Sequence, residues 1–319
     1  MQSLDIVERS TLPKAPKQKT PYRVENGIIE SQACEINIVD HCNYSCRACS
    51  HLSPISENKF VNLDHLDNDL NILSRYYRVE VMRLVGGEPL LHPELLEIIR
   101  IVRESNISKQ IHIITNGSFL DKMPIKFWDA IDKVNVSVYG RKSDIKLNSI
   151  IKHDNRFNSK VSFIKFQNFR ESYSELGTIN KRTISRIYKT CQIAHIWRCH
   201  TLANGILYRC PQSYYLPLFI NNPKLTNCHD GIKIKESHDF VKQLIFFFEN
   251  PDPLSSCSFC LGSVGKIIQH EQIPRSTWRN YQMKPSEDMV DWAFLKRLEV
   301  DPDAYNNCYE KRKRDNATR

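Results

Sequence analysis

Between residues 34 and 166, β-like and helix-like runs alternate, and this alternation constrains the fold more than any other feature of the chain. Cys34–Asp40 (CEINIVD) reads as a strand, Leu63–Tyr76 as a helix and Glu80–Val85 as a second strand. Pro93–Glu104 has helical periodicity with proline in its first turn, where a missing N–H is tolerated. Gln110–Thr115 reads as a third strand, Ile125–Ile131 as a short helix, Lys133–Tyr139 as a fourth strand and Val161–Phe166 as a fifth. Strands that alternate with helices pair in parallel beneath a helical cover. The expected class is α/β, a full or partial (βα) barrel, whose active sites lie at the C-terminal ends of the strands.

The first strand runs straight into Cys42, Cys46 and Cys49, spaced C-x3-C-x2-C. Three thiolates on one loop can hold three irons of a cubane and leave the fourth iron open to a chelating ligand. Zinc prefers four closing ligands, often in C-x2-C pairs, and is the competing reading. Gly86-Gly87-Glu88-Pro89 follows the second strand, where glycines let backbone approach a ligand and Glu88 offers a carboxylate to a cation. Asn116 closes the third strand, and Ser137 and Tyr139 lie near the end of the fourth. His41 and His51 flank the cysteines and read as local structural residues; Cys34 reads as core.

Over residues 34–166 these motifs resemble the radical S-adenosylmethionine (SAM) superfamily. The resemblance implies a partial (βα)6 TIM-like barrel, a [4Fe–4S] cluster on Cys42, Cys46 and Cys49, and SAM chelated to the open iron. It further implies SAM contacts from Gly86, Gly87, Glu88, Pro89, Asn116 and Ser137, with Glu88 against the SAM ammonium. One residue departs from the family pattern: Ala48 stands where an aromatic residue usually precedes the third cysteine. Reductive cleavage of SAM would yield a 5′-deoxyadenosyl radical, and the electron would come from an external donor such as flavodoxin or ferredoxin.

The character changes after about residue 180. Trp197–Leu202 and Ile206–Cys210 flank Asn204-Gly205, a two-residue hairpin signal. Irregular sequence is expected over residues 211–230, a helix over His238–Asn250 and another near Met289–Leu298. Cys191, Gly205 and Cys210 read C-x13-G-x4-C, with Cys257-x2-Cys260 later, and this resembles a twitch or SPASM-like module carrying one auxiliary [4Fe–4S] cluster. Five cysteines compete for four ligand positions, because hairpin register would set Cys199 opposite Cys210. Module spacing favours Cys191; the spare thiol, Cys191 or Cys199, becomes a candidate hydrogen-atom donor. Structural zinc on four of these cysteines is the bland alternative. Cys228 and Cys308 read as plain thiols, with hydrogen-atom donation the alternative for either.

Three segments follow: a flexible lead-in over 1–33, a radical SAM core over 34–180, and the auxiliary module with a basic tail over 181–319. Lys+Arg minus Asp+Glu is 45 − 36 = +9, which suits solvated tails or an acidic, nucleotide-linked substrate. No basic stripe interleaved with aromatics suggests nucleic acid, and no apolar run reaches the roughly 18 residues of a membrane span. Clustered cysteines and a polar, proline-broken beginning suggest a reducing, cytoplasmic setting. The expected reaction is dehydrogenation or epimerisation of a sugar, aminocyclitol or related small molecule. The alternatives are epimerisation or crosslinking of a ribosomally made peptide, and a non-catalytic metal-binding protein.

Overall fold

A computed structural model describes residues 22–139, 160–222, 225 and 230–304. Cys228, Cys308 and both basic ends lie outside these residues. The chain opens with β1 (Arg23–Glu25) and β2 (Ile28–Val39), an antiparallel pair that begins inside the stretch expected to be a lead-in. β3 (Tyr77–Gly86), β4 (Ser108–Thr115), β5 (Lys133–Val138) and β6 (Val161–Lys165) then add to β2 one after another in parallel. A short pair is formed by β7 (Asn168–Arg170) and β11 (Ile267–Gln269).

The expected hairpin is present as β8 (His200–Ala203) and β9 (Ile206–Tyr208), with Thr201 opposite Tyr208 and Ala203 opposite Ile206. It does not stand apart from the core domain. β8 pairs in parallel with β2, and β10 (Gly231–Lys233) extends the same sheet beyond β9. The path is β10-β9-β8-β2-β3-β4-β5-β6, open at both ends among the described residues. Six strands of that path, β8 and β2 to β6, run in parallel, so the architecture is a partial barrel.

β2 is central, and its last seven residues are all buried. A strand covered on both faces reads as a near-continuous apolar run, as CEINIV does. Cys34, Ile36 and Ile38 enter the main apolar core. The alternate residues Glu35 and Asn37 point to the other face and are also buried. Helix α1 (Leu63–Leu73) starts at Asn62, whose side chain accepts the His65 N–H at 2.9 Å. It turns Leu66, Leu70 and Leu73 inward at helical spacing. Helix α2 (Leu95–Glu104) does the same with Leu95, Ile98, Ile99 and Val102. Burying each such side chain contributes roughly 1.5–3 kcal/mol.

The stretch expected to be irregular contains a helix, Pro211–Phe219, with six buried residues from Pro211 to Leu216. Pro211 sits in its first turn, where proline is tolerated, and Pro217 falls in its last turn. The proline content concealed this helix from a local reading. No described helix is long and apolar enough to cross a membrane.

Candidate active site

The cysteine loop begins where β2 ends. Asp40 receives the Asn37 amide at 2.5 Å and the Tyr214 hydroxyl at 3.4 Å, which fixes the exit from the strand. Cys42, Cys46 and Cys49 then line one cavity of about 480 Å³. Burial pushes the Cys42 thiol up to about 12, with Cys49 adding repulsion. Cys46 and Cys49 are also raised, again chiefly by burial. Burial disfavours the thiolate at all three positions, a penalty that a bound cation such as iron would offset. Ala48 adopts a left-handed φ of 56° and is buried outside the cavity, so position 48 offers no ring to the site. Tyr44 and Tyr139 do line it, with ring centroids 6.3 Å apart.

The GGEP turn touches the loop through its backbone. Gly87 N–H donates to the Val39 carbonyl at 2.7 Å, and Glu88 N–H donates to the His41 carbonyl at 3.1 Å. A Cβ on Gly87 would lie 2.0 Å from the His41 oxygen, so only glycine permits this approach. Gly86 and Gly87 line the cavity; Glu88 and Pro89 do not. Glu88 is fully buried. Its carboxylate accepts the Leu90 N–H at 3.1 Å, the Thr115 hydroxyl at 2.6 Å and the Asn116 N–H at 2.8 Å. The Glu88 carboxylate is thus held by its own turn and by the end of β4. Burial pushes its pKa up to about 7, against the opposing pull of those donors. Asn116 and Ser137 are buried and line the cavity. The Asn116 amide donates to Asn43 at 2.8 Å and approaches the Cys42 sulfur at 3.7 Å.

A C-terminal strap that sequence reasoning missed closes over the loop. Arg47 N–H donates to the Glu271 carbonyl and Ile273 N–H to the Ser45 carbonyl, both at 2.9 Å. Trp278 Nε1 donates to the Cys46 carbonyl at 2.9 Å, and the Arg275 guanidinium caps the Cys42 carbonyl. Arg47 pairs with Glu271 at 2.8 Å and with Glu171 at 3.2 Å. His270 places Nε2 3.1 Å from the Cys46 sulfur. No local motif announces these residues, because the contacts join positions more than 120 apart in the chain.

Away from the SAM motifs, the cavity is lined by His51, Lys165, Ser172 and Gln212. His51, read from sequence as a local structural residue, thus faces the cavity; its burial lowers its pKa to about 4 and keeps it neutral. His51 Nε2, Ser172 Oγ and Gln212 Oε1 are buried without a hydrogen-bond partner. His41 stays out of the lining and sets its ring edge-on to Phe60.

Cys191, Cys210, Cys257 and Cys260 line a second, small pocket together. Gly262 N–H donates to the Cys260 sulfur at 3.2 Å. Cys199 is absent from this lining. The hairpin ladder stops at Thr201 and Tyr208, and Arg198 turns left-handed at φ 49°, so register does not carry Cys199 across to Cys210. Burial raises the Cys199 thiol, and Glu35 beside it raises it further. Gln212 and Gly262 line both cavities, which sets the large one between the two cysteine groups. Among the described residues no three His, Cys, Asp or Glu side chains converge on a single ion-sized point. Cubane thiolates bind different irons and are spaced more widely than ligands around one ion.

Residues 36–167 match the model of the Radical SAM superfamily. The chain's cofactors are accordingly a [4Fe–4S] cluster and SAM. Among curated relatives it is similar to the GTP 3′,8-cyclase of Microcystis aeruginosa, 32% identical over 110 residues (32% of this chain and 33% of that one). It is also similar to the probable GTP 3′,8-cyclase of Methanococcus aeolicus, 34% identical over 113 residues (34% and 38%). These matches span little more than a third of the relatives' length. Among solved structures, BtrN in complex with AdoMet and 2-DOIA aligns over 72% of this chain and 92% of that one, at 16% identity and a TM-score of 0.41. Streptococcus suis SuiB bound to S-adenosylmethionine aligns over 70% of this chain and 67% of that one, at 12% identity and a TM-score of 0.37.

Proposed function

We propose that Cys42, Cys46 and Cys49 hold the SAM-binding cluster and that the enzyme abstracts a hydrogen atom from a sugar, aminocyclitol or related hydroxylated small molecule. One observation carries the substrate reading. The cavity between the two cysteine groups is lined by the polar side chains of His51, Ser172 and Gln212, each of which carries a buried polar atom without a partner. Buried polar atoms without partners are costly, and a ligand bearing several hydroxyls satisfies them.

Cluster and SAM together supply a 5′-deoxyadenosyl radical on one-electron reduction, the electron coming from an external donor such as flavodoxin or ferredoxin. The chain's own part is positional. Gly86 and Gly87 bring backbone against the cluster loop, Asn116 and Ser137 offer polar groups to SAM, and His51, Ser172 and Gln212 orient the substrate carbon. Oxidation of an alcohol carbon also requires loss of the hydroxyl proton and of one further electron. Cys191, Cys210, Cys257 and Cys260 would hold a four-thiolate cluster, which would supply an electron acceptor there. Among the described residues, neither Cys199 nor Cys191 lines the large cavity, which weighs towards dehydrogenation over epimerisation by hydrogen return from either of these thiols. Residues 34–180 act as the radical domain, and residues 181–319 carry the auxiliary site on the same sheet.

The test is anaerobic reconstitution with SAM, dithionite and aminocyclitols or sugars deuterated at single carbons. Deuterium transfer into 5′-deoxyadenosine, lost in a Gln212→Ala, Ser172→Ala double variant that still cleaves SAM, supports the reading. Transfer from a peptide only would overturn it. A nucleotide-linked sugar is the second reading: Lys165 lines the cavity, is exposed and has no ion partner among the described residues, and the curated relatives are named for GTP.

A further inference from the structure

We propose that His270 is a positioning residue that sets the reduction potential of the cluster on Cys42, Cys46 and Cys49 by donating an N–H···S hydrogen bond to Cys46. The inference rests on the assignment of those three cysteines to the cluster. His270 Nε2 lies 3.1 Å from Cys46 Sγ. A ligating thiolate carries no proton, so the nitrogen that faces it is the donor.

The contact is held from several sides. The imidazole lies parallel to the Tyr139 ring, with centroids 4.7 Å apart and planes at 15°, and it packs edge-on against Phe169 at 4.9 Å. His270 N–H donates to the Gln167 carbonyl at 2.9 Å. On the other partner, Trp278 Nε1 pins the Cys46 carbonyl at 2.9 Å, and Gln272 bridges to Cys46. Donor and acceptor are thus each held by contacts beyond the one between them. The distance is shorter than the 3.3 Å from Tyr44 N–H and the 3.7 Å from the Asn116 amide to Cys42.

Reduction adds negative charge to the iron and its thiolates, so a fixed donor binds the reduced state more strongly than the oxidised one. Removing it makes one-electron reduction on the order of tenfold less favourable, a fall of about 59 mV.

The experiment is an EPR-monitored redox titration of reconstituted protein. The signal that changes when SAM is added marks the radical site. His270→Phe keeps a ring against Tyr139 and Phe169 without an N–H, whereas His270→Gln restores a donor near the position of Nε2. A lower midpoint in His270→Phe that returns towards wild type in His270→Gln supports the inference. An unchanged midpoint in His270→Phe with iron retained overturns it. If His270→Phe does not hold iron, the wild type labelled with 15N-histidine decides. A weak nitrogen coupling on the SAM-responsive signal, absent from His270→Gln, supports the hydrogen bond. No coupling, or the strong coupling of an iron-bound nitrogen, overturns it. A wild type with iron but no SAM-responsive signal would overturn the cluster assignment itself and the inference with it.

Discussion

Glu88→Gln should weaken the fold before it weakens SAM binding, and by an amount that depends on pH. In the native protein three donors converge on two carboxylate oxygens: Leu90 N–H and Thr115 hydroxyl on Oε1, Asn116 N–H on Oε2. Glutamine keeps one accepting oxygen and sets an amide NH2 against a backbone N–H. One buried donor loses its partner, which costs ~1–3 kcal/mol. A protonated glutamic acid keeps two accepting oxygens, so Leu90 N–H and Asn116 N–H both retain partners while its own hydroxyl donates to Thr115 Oγ. Burial raises the folded pKa to about 7, above the ordinary 4.5. Between those values the folded protein keeps a proton that the unfolded chain releases. Wild-type stability from this group is therefore full below pH 4.5 and is lost as pH rises through 7, by roughly 3 kcal/mol over the window. Glutamine does not titrate, so the deficit of the variant is largest near pH 5 and shrinks towards pH 8. Urea unfolding of both proteins at the two pH values reads it as a midpoint shift at constant slope. SAM affinity is measured in parallel by equilibrium dialysis. Equal stability at both pH values together with a loss of SAM affinity would refute the structural role and restore the carboxylate as a ligand contact.

Further outcomes follow from the same geometry. Gly87→Ala forces a Cβ to within 2.0 Å of the His41 carbonyl, so it should displace the cysteine loop and remove iron from the first site while the second keeps its own; iron analysis checks this. Replacing Cys42, Cys46 and Cys49 together with Ala should abolish 5′-deoxyadenosine formation yet leave about four irons per chain on the C-terminal cysteines. Zinc in place of that iron would support a structural metal site. In the same background Cys191→Ala should lose that metal and Cys199→Ala should keep it, because only Cys191 faces the pocket shared by Cys210, Cys257 and Cys260.

What could be read along the chain is what neighbouring residues settle among themselves. The alternation of strand and helix, the run of β2 into Cys42, Cys46 and Cys49, the GGEP turn and the Asn204-Gly205 hairpin depend on periodicity, φ preference and ligand spacing over a few positions. Each of these survives a reading without coordinates, since the physics that sets it is local. The proline-rich helix Pro211–Phe219 was hidden because tertiary burial from Pro211 to Leu216 outweighs its poor local propensity.

The allocation of polar groups was not legible in the same way. Glu88 could have faced SAM or the fold; the end of β4, 27 residues away, supplies the donors that claim it. Cys199 could have lain across from Cys210; the hairpin ladder ends at Thr201, and Cys191 shares the pocket lining with Cys210 and with Cys257 and Cys260 from a distant loop. His270 reaches Cys46 across 224 positions, and nothing near either residue foretells it. A side chain's partner is chosen by which elements packing brings to it, and that choice is made by burial of the whole core rather than by any stretch of sequence.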